Sequence, residues 1–338
     1  MMHAWLRWIV GLLLMGAGMA FPLAPAQAAL QVFACEPEWG ALVRELGGER
    51  VSVYEATTAF QDVHRIQAKP SLLAAFRRAD LAVCTGADLE IGWLPILFAE
   101  AGNPKVQPGK PGYFEASRYV TLLEVPATLD RSLGDQHPAG NPHIHLDPRN
   151  ILKVGEALAQ RLAELDPEHG ARYRSRYRDF AGRWQQAMSR WEAQGAPLRG
   201  TPVIVHHEGF PYLNAWLGLK QVGALEPKPG IEPTASHLAQ LLEAHKREPA
   251  RMVIRAPYNS PRAAEWFARQ AGIPQVVLPY TVGGSEKAKD LFGLFDDTLE
   301  RLLAAASAPS RTGEPDAPSS LNVGRTTPGA KPEAFHNG

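Results

Sequence analysis

Two stretches of this chain alternate short apolar runs with segments of helical period, and one long helical stretch separates them; few architectures accommodate that order. From residue 30 to about 150, residues 31–34, 51–54 and 81–84 read as strands, while 39–46, closed by Gly47-Gly48, and 71–78, opened by Ser71, read as helices. Strands linked through helices run parallel, so the segment predicts an α/β lobe built on a mostly parallel sheet. After Gly195 the alternation resumes, with strands at 203–205, 252–254 and 275–278 and helices at 212–217, 236–247, 261–271 and 291–305. Between the two, residues 150–165 are helical up to Asp166-Pro167, where proline can open a new helix. Beyond it Tyr173, Tyr177, Phe180, Trp184, Met188 and Trp191 recur at spacings of three and four, with Arg172, Arg174, Arg176, Arg178 and Arg183 mostly on the flanks. That is one apolar face of a long helix, and its aromatics are packing residues. The predicted fold is α/β: two lobes, each a mostly parallel sheet flanked by helices, spanning 29–150 and 195–306, joined through 151–194 by one long backbone helix.

The ends of the chain carry different information. His3 and Arg7 precede an apolar run, and Ala26-Gln27-Ala28 is the small-x-small pattern of a signal-peptidase site, so residues 1–28 are expected to be a cleaved signal peptide. The apolar run is shorter than the roughly 20 residues a bilayer span needs, and Pro22 and Pro25 close it. A periplasmic location without stable membrane insertion follows. Residues 307–338, rich in Pro, Ser, Gly and Thr, are expected to be a disordered tail. Of the 338 residues, 35 are Lys or Arg and 35 are Asp or Glu, a balance that favours neither nucleic acid nor an anionic membrane surface.

Only two cysteines occur, Cys35 and Cys84, each ending a short apolar run. Neighbouring parallel strands would bring them together, and an exported chain can oxidise them, so a disulfide is expected, with free buried thiols or metal ligation as the alternatives. Neither cysteine has a partner at the short spacing usual for structural zinc.

Chemistry concentrates in three histidine-bearing segments, each beside turn-forming residues: Asp62-Val63-His64, Asn141-Pro142-His143-Ile144-His145 and His206-His207-Glu208. In an α/β sheet the loops leaving the carboxyl ends of strands form the ligand crevice. His64 lies in the loop after the second strand and His207 directly follows the strand at 203–205, so each lobe can present an imidazole to one cleft. A lone loop histidine is usually just solvated, but three such segments converging are what a zinc-class ion needs. His143 and His145, held between Pro142 and Pro148, point to the same side if the stretch is extended, which makes His145 a candidate fourth ligand; the alternative is that it supports a ligand from behind or simply packs. His206 and His207 are adjacent, so only one of them is expected to bind. His207-Glu208 does not open a zinc-protease helix, because no histidine follows four residues after the first and Pro211 intervenes. No Gly-x-Ser-x-Gly turn, phosphate-cradling loop or dinucleotide fingerprint is found either.

At this point the residues carry a resemblance. The chain from about 30 to 305 is similar to the solute-binding receptors of zinc and manganese ABC importers, whose two lobes are joined by a rigid helix. His64 with Pro70-Ser71 resembles the family's first-ligand loop, and Ala79-Asp80-Leu81 running on to Gly86 and Glu90 resembles the segment after it. Asn141-Pro142-His143-Ile144-His145-Leu146-Asp147-Pro148 resembles Asp-Pro-His-x-Trp-x-Asp-Pro, implying the second ligand at His143. His207-Glu208-Gly209-Phe210-Pro211-Tyr212 resembles His-Asp-x-Phe-x-Tyr, implying the third at His207, and Glu232-Pro233-Thr234 is similar to a Glu-Pro-Ser turn before a helix. Two departures stand out. Where the family reads Leu-Asp-Pro-Leu-Gly, with a carboxylate ligand, this chain has Leu278-Pro279-Tyr280-Thr281-Val282-Gly283, which leaves water, His145, Asp62 or Glu208 for the fourth position. The long His- and Asp-rich loop of many zinc receptors is also missing, with only Asp135 and His137 in that stretch, so a metal-collecting role for it should be weak.

The resemblance implies a monomeric periplasmic receptor, not an enzyme, that captures Zn2+ between its lobes and delivers it to an inner-membrane ABC permease. Imidazoles without an acidic ligand favour Zn2+ over Mn2+. The rival from another class is a secreted zinc hydrolase with Glu208 as general base. A receptor for an organic ligand would instead require an apolar pocket.

Overall fold

A computed structural model describes residues 29–127 and 134–309; the expected signal peptide (1–28) and residues 310–338 of the expected tail lie outside the described residues. The first lobe runs β1 (Leu30–Ala34), α1 (Pro37–Gly47), β2 (Val51–Glu55), α2 (Pro70–Arg78), β3 (Leu81–Cys84), α3 (Leu94–Glu100) and β4 (Tyr113–Glu115). Two helices follow, α4 (Pro148–Leu165) and α5 (Gly170–Gly195). The second lobe runs β5 (Pro202–Val205), α6 (Pro211–Leu217), β6 (Lys220–Ala224), α7 (Ala235–Arg247), β7 (Met252–Arg255), α8 (Pro261–Ala271), β8 (Gln275–Val277) and α9 (Leu291–Ser307). The strand orders are β2-β1-β3-β4 and β6-β5-β7-β8, every pairing parallel. The α/β two-lobe architecture read from the sequence is therefore the observed one. No helix among the described residues is long and apolar enough to cross a membrane.

The differences in detail have local causes. Strands β4 and β6 escape the apolar pattern because one is three residues long and the other, Lys-Gln-Val-Gly-Ala, is a half-exposed edge strand. Helix α2 begins one residue earlier than Ser71, with Pro70 in its first turn and Lys69 ahead of it, since proline's missing N–H costs nothing there. Helix α4 starts at Pro148, and Asp147 accepts a hydrogen bond from Arg149 N as its N-cap.

The long helix is the spine. Tyr173, Phe180, Trp184 and Trp191 are wholly buried, in one core cluster that also takes Val32 and Val83 from the first sheet and Val203 and Ile254 from the second. Each such aromatic hides about 150–250 Å², worth about 4–6 kcal/mol before ordering costs. Polar contacts fix the ring orientations: Trp184 Nε1 donates to Pro148 O at 2.8 Å and Trp191 Nε1 to Asp296 Oδ1 at 2.6 Å. Cys35 and Cys84 form a disulfide across adjacent strands β1 and β3, their Cα atoms 4.8 Å apart. Neither is a free thiol.

Candidate metal centre

The carboxyl ends of both sheets open on the same cleft, and the histidine segments meet there. Asp62 caps the single turn Val63–Arg65: its Oδ1 accepts from His64 N at 3.1 Å and contacts His64 Nδ1 at 2.8 Å. The other ring nitrogen, Nε2, is then left buried and without a partner. Trp93 Nε1 donates to Val63 O at 2.9 Å and holds the turn from below, and Gly92 is needed there because a Cβ would stand 2.8 Å from His64 O.

His143 is 3% exposed and precedes a one-turn helix, Ile144–Leu146. Asn141 Oδ1 accepts from its backbone N at 3.1 Å, while Asn141 Nδ2 donates to Glu208 O at 2.8 Å and ties this loop to the second lobe. His207 follows β5 directly, and its Nδ1 contacts Glu226 Oε2 at 2.7 Å. The pairing of Val205 with Ala224 in adjacent parallel strands, carried on two residues beyond the sheet, sets Glu226 beside His207. Glu226 also accepts from Gly230 N at 2.8 Å, which fixes the carboxylate.

His64, His143 and His207 thus converge, with ring centroids 5.4 to 5.7 Å apart and one ligand nitrogen from each lying within 4.8 Å of the others. In a tetrahedral zinc site the nitrogens stand about 3.3 Å apart, so an ion would draw the three inward by roughly an ångström. Gly209 permits this closeness: a Cβ there would lie 3.2 Å from both His143 Cδ2 and His207 Cδ2 and 2.6 Å from the Tyr280 hydroxyl.

Electrostatics separates the three rings. Burial, then the neighbouring His64 and His207, holds His143 well below the ordinary imidazole range, so it is neutral and ready to donate a lone pair. For His207 burial acts downward but is outweighed by the Glu226 hydrogen bond and charge, and the net direction is up. Burial likewise opposes ionisation of Asp62, but its bonds to His64 prevail and keep it below the usual carboxylate range.

The remaining candidates stand elsewhere. The stretch expected to be extended is a helical turn, drawn in by buried Ile144, so His145 rotates away from His143. Its Nε2 faces Tyr280 O at 3.0 Å and its Nδ1 lies 3.2 Å from Glu38. Asp62 is engaged by His64, and Glu208 is exposed. His206 is buried behind His207, 4.0 Å from Glu226 Oε1, and burial lowers it to about 4. His137, given no ligand role from sequence, packs 5.4 Å from His64, and burial lowers it to about 4 as well. Glu226 and Gly209 were also missed. Strand register could have found Glu226, whereas Gly209 shows its purpose only once the rings are in place.

Comparison with known proteins identifies relatives in sequence and in fold. The model of the family "Zinc-uptake complex component A periplasmic" (ZnuA) matches residues 32–305. The high-affinity zinc uptake system protein ZnuA of Brucella abortus is 28% identical over 120 residues, 36% of this chain and 36% of that relative's length. Its Bacillus subtilis counterpart is 23% identical over 231 residues, 67% of this chain and 70% of the relative. A crystal structure of ZnuA superposes with a TM-score of 0.69 at 24% identity, covering 82% of this chain and 100% of that one, a likeness of fold. A manganese-bound periplasmic metal-binding protein from Candidatus Liberibacter asiaticus shares the fold at a TM-score of 0.66 and 16% identity. With the family model spanning most of its length, the chain belongs to the family of the periplasmic zinc-uptake component ZnuA.

Proposed function

We propose that this protein is a periplasmic receptor that captures one Zn2+ between its lobes on His64, His143 and His207 and delivers it to an ABC-type importer of the inner membrane. One observation carries the reading: three imidazoles from separate segments reach one point, and two of them have a carboxylate on the outward nitrogen. Asp62 and Glu226 hold Nδ1–H of His64 and His207, which fixes the tautomer and turns each Nε2 lone pair inward. Nitrogen donors favour zinc over manganese, which prefers oxygen-rich, higher-coordinate sites. The names of the relatives support the same cargo. Where His207 is protonated, zinc and the Nε2 proton compete for the same lone pair while Glu226 keeps the proton on Nδ1. A receptor role, without catalysis, leaves Glu208 as an exposed side chain at the rim of the cavity that His143 and His207 line.

The test is a metal titration of chelator-stripped protein by competition with a chromogenic chelator, beside assays on ester, peptide and phosphoester substrates. One tightly bound zinc per chain, much weaker manganese and no hydrolysis are expected. Tighter manganese binding, or zinc-dependent turnover, would overturn the reading.

A further inference from the structure

We propose that His137 is the fourth donor of this site, so that the ion is closed in by four imidazoles, the last brought by the loop between β4 and α4. The inference rests on the three-histidine reading above. His137 lies as close to His64 as His143 does, 5.4 Å between ring centroids in both cases. His137 Nδ1 and His64 Nε2 are both buried and have no hydrogen-bond partner. Two orphaned nitrogens on adjacent rings are costly unless something that accepts electron pairs sits between them, and a cation does so.

The Ala87 backbone stands beside the ring and favours a proton on the nitrogen that faces it, and an imidazole protonated at one nitrogen presents a lone pair at the other. Ala87 belongs to a turn in which Gly86, Ala87 and Asp88 all have positive φ, at 76°, 51° and 63°. Two non-glycine residues in that region store backbone strain, which persists only when the surroundings enforce it. Buried Glu90 enforces it by accepting from Thr85 N at 2.7 Å and Gly86 N at 3.1 Å. On its other side the His137 loop is tied to the second lobe, where Asp135 N donates to Pro229 O at 2.9 Å, three residues from Glu226. The loop therefore touches both walls of the cleft. Position 279, where the resemblance leads one to expect an aspartate, holds proline, and Tyr280 beside it packs against His143 and His145. His137 lies outside the tightest trio of donors, so binding draws the loop inward.

Zinc-edge X-ray absorption on the full, metal-loaded protein tests this without any substitution: four nitrogen donors at about 2.0–2.1 Å are expected. His137→Ala should replace one imidazole by an oxygen donor, shift the visible bands of the cobalt(II) form and weaken zinc binding by about 10–100-fold or more. Its apo melting temperature should stay put, because the residue sits on a loop. Three imidazoles plus oxygen in the unmodified protein, with His137→Ala binding zinc as tightly, would overturn the proposal. His64→Ala separates the two levels of inference. If it abolishes binding while His137→Ala does not weaken it, only the fourth donor falls; if neither weakens binding, the three-histidine reading falls too.

Discussion

The two lobes are one topology used twice, and their strand ends correspond residue by residue. Cys35 N donates to Val83 O at 2.9 Å just beyond β1, and His206 N donates to Ile254 O at 2.7 Å just beyond β5. Ala56 N bonds Ala34 O and Leu225 N bonds Val205 O, both at 2.8 Å. Glu36 therefore occupies in the first lobe the place that His207 occupies in the second, and the Cys35–Cys84 pair matches His206 and Arg255. The second lobe presents its imidazole at the strand end, with the sheet as its mount. The first lobe fills that position with a buried carboxylate bonded to Thr85, and reaches the site instead through an excursion beyond β2 held by Asp62 and Trp93. The same scaffold thus offers a rigid ligand on one side and a loop-borne ligand on the other. Chemistry at a strand end is set by the residue placed there, not by the fold.

The largest test of this contrast is removal of the ligands themselves. His64→Ala, His143→Ala and His207→Ala should each weaken zinc by more than about 100-fold in a competition titration, exceeding the usual cost of losing an outer partner. His206→Ala should change affinity by only a few fold; a reversed ranking of His206 and His207 would break the correspondence of strand ends.

Removing the disulfide with Cys35→Ser and Cys84→Ser should cost about 2–4 kcal/mol in denaturant unfolding. Hydrogen exchange should rise in the first sheet alone. An equal rise in the second would show that the lobes unfold as one unit.

Next come the carboxylates behind the rings. Glu226→Gln and Asp62→Asn should each weaken zinc by about 10–100-fold. Only Glu226→Gln should also shift the acid edge of binding to lower pH, because Glu226 is what raises His207 and so lets protons compete with zinc. Zinc titrations from pH 5 to 8 would reveal the asymmetry, and matched shifts for both variants would erase it.

The smallest effect concerns the buried acids of the first lobe. Burial pushes Glu90 up to about 7 and Glu36 well above its ordinary value. A carboxyl raised on folding contributes stability that is fully present below about pH 4.5 and lost as the pH rises through about 7. Glu90→Gln should therefore gain steadily on the parent protein as the pH rises from 5 to 8, measured on apo protein. His143 works the other way: its neutral form is favoured by the fold, so acid below about pH 6.5 favours the unfolded chain. Both proteins should lose stability together on that side.

Much of the architecture was legible because buried strands such as β3 and most of β5 are continuous apolar runs and the α5 face repeats at helical spacing. Strand β6 was not, since an edge strand need not be apolar. At the site, the histidine segments were visible because imidazoles in turn-rich loops have little packing purpose. What failed was local direction: a one-turn helix at Ile144–Leu146 sends His145 to Tyr280, and nothing in the order of residues distinguishes that turn from an extended strand. His137 was given no ligand role because only Asp135 accompanies it in its loop. Its proximity to His64 is a property of the assembled lobes.

The disulfide has one more consequence, for metal traffic. Cys35, Cys84 and Glu90 place three donor atoms within 4.8 Å of one another, buried at the carboxyl ends of β1 and β3. As thiolates, the two sulfurs would form a soft trap more attractive to zinc or copper than any imidazole site. Bonded to each other they have no charge to offer, so oxidation quarantines the decoy and leaves the histidine cleft as the place where a scavenged ion comes to rest.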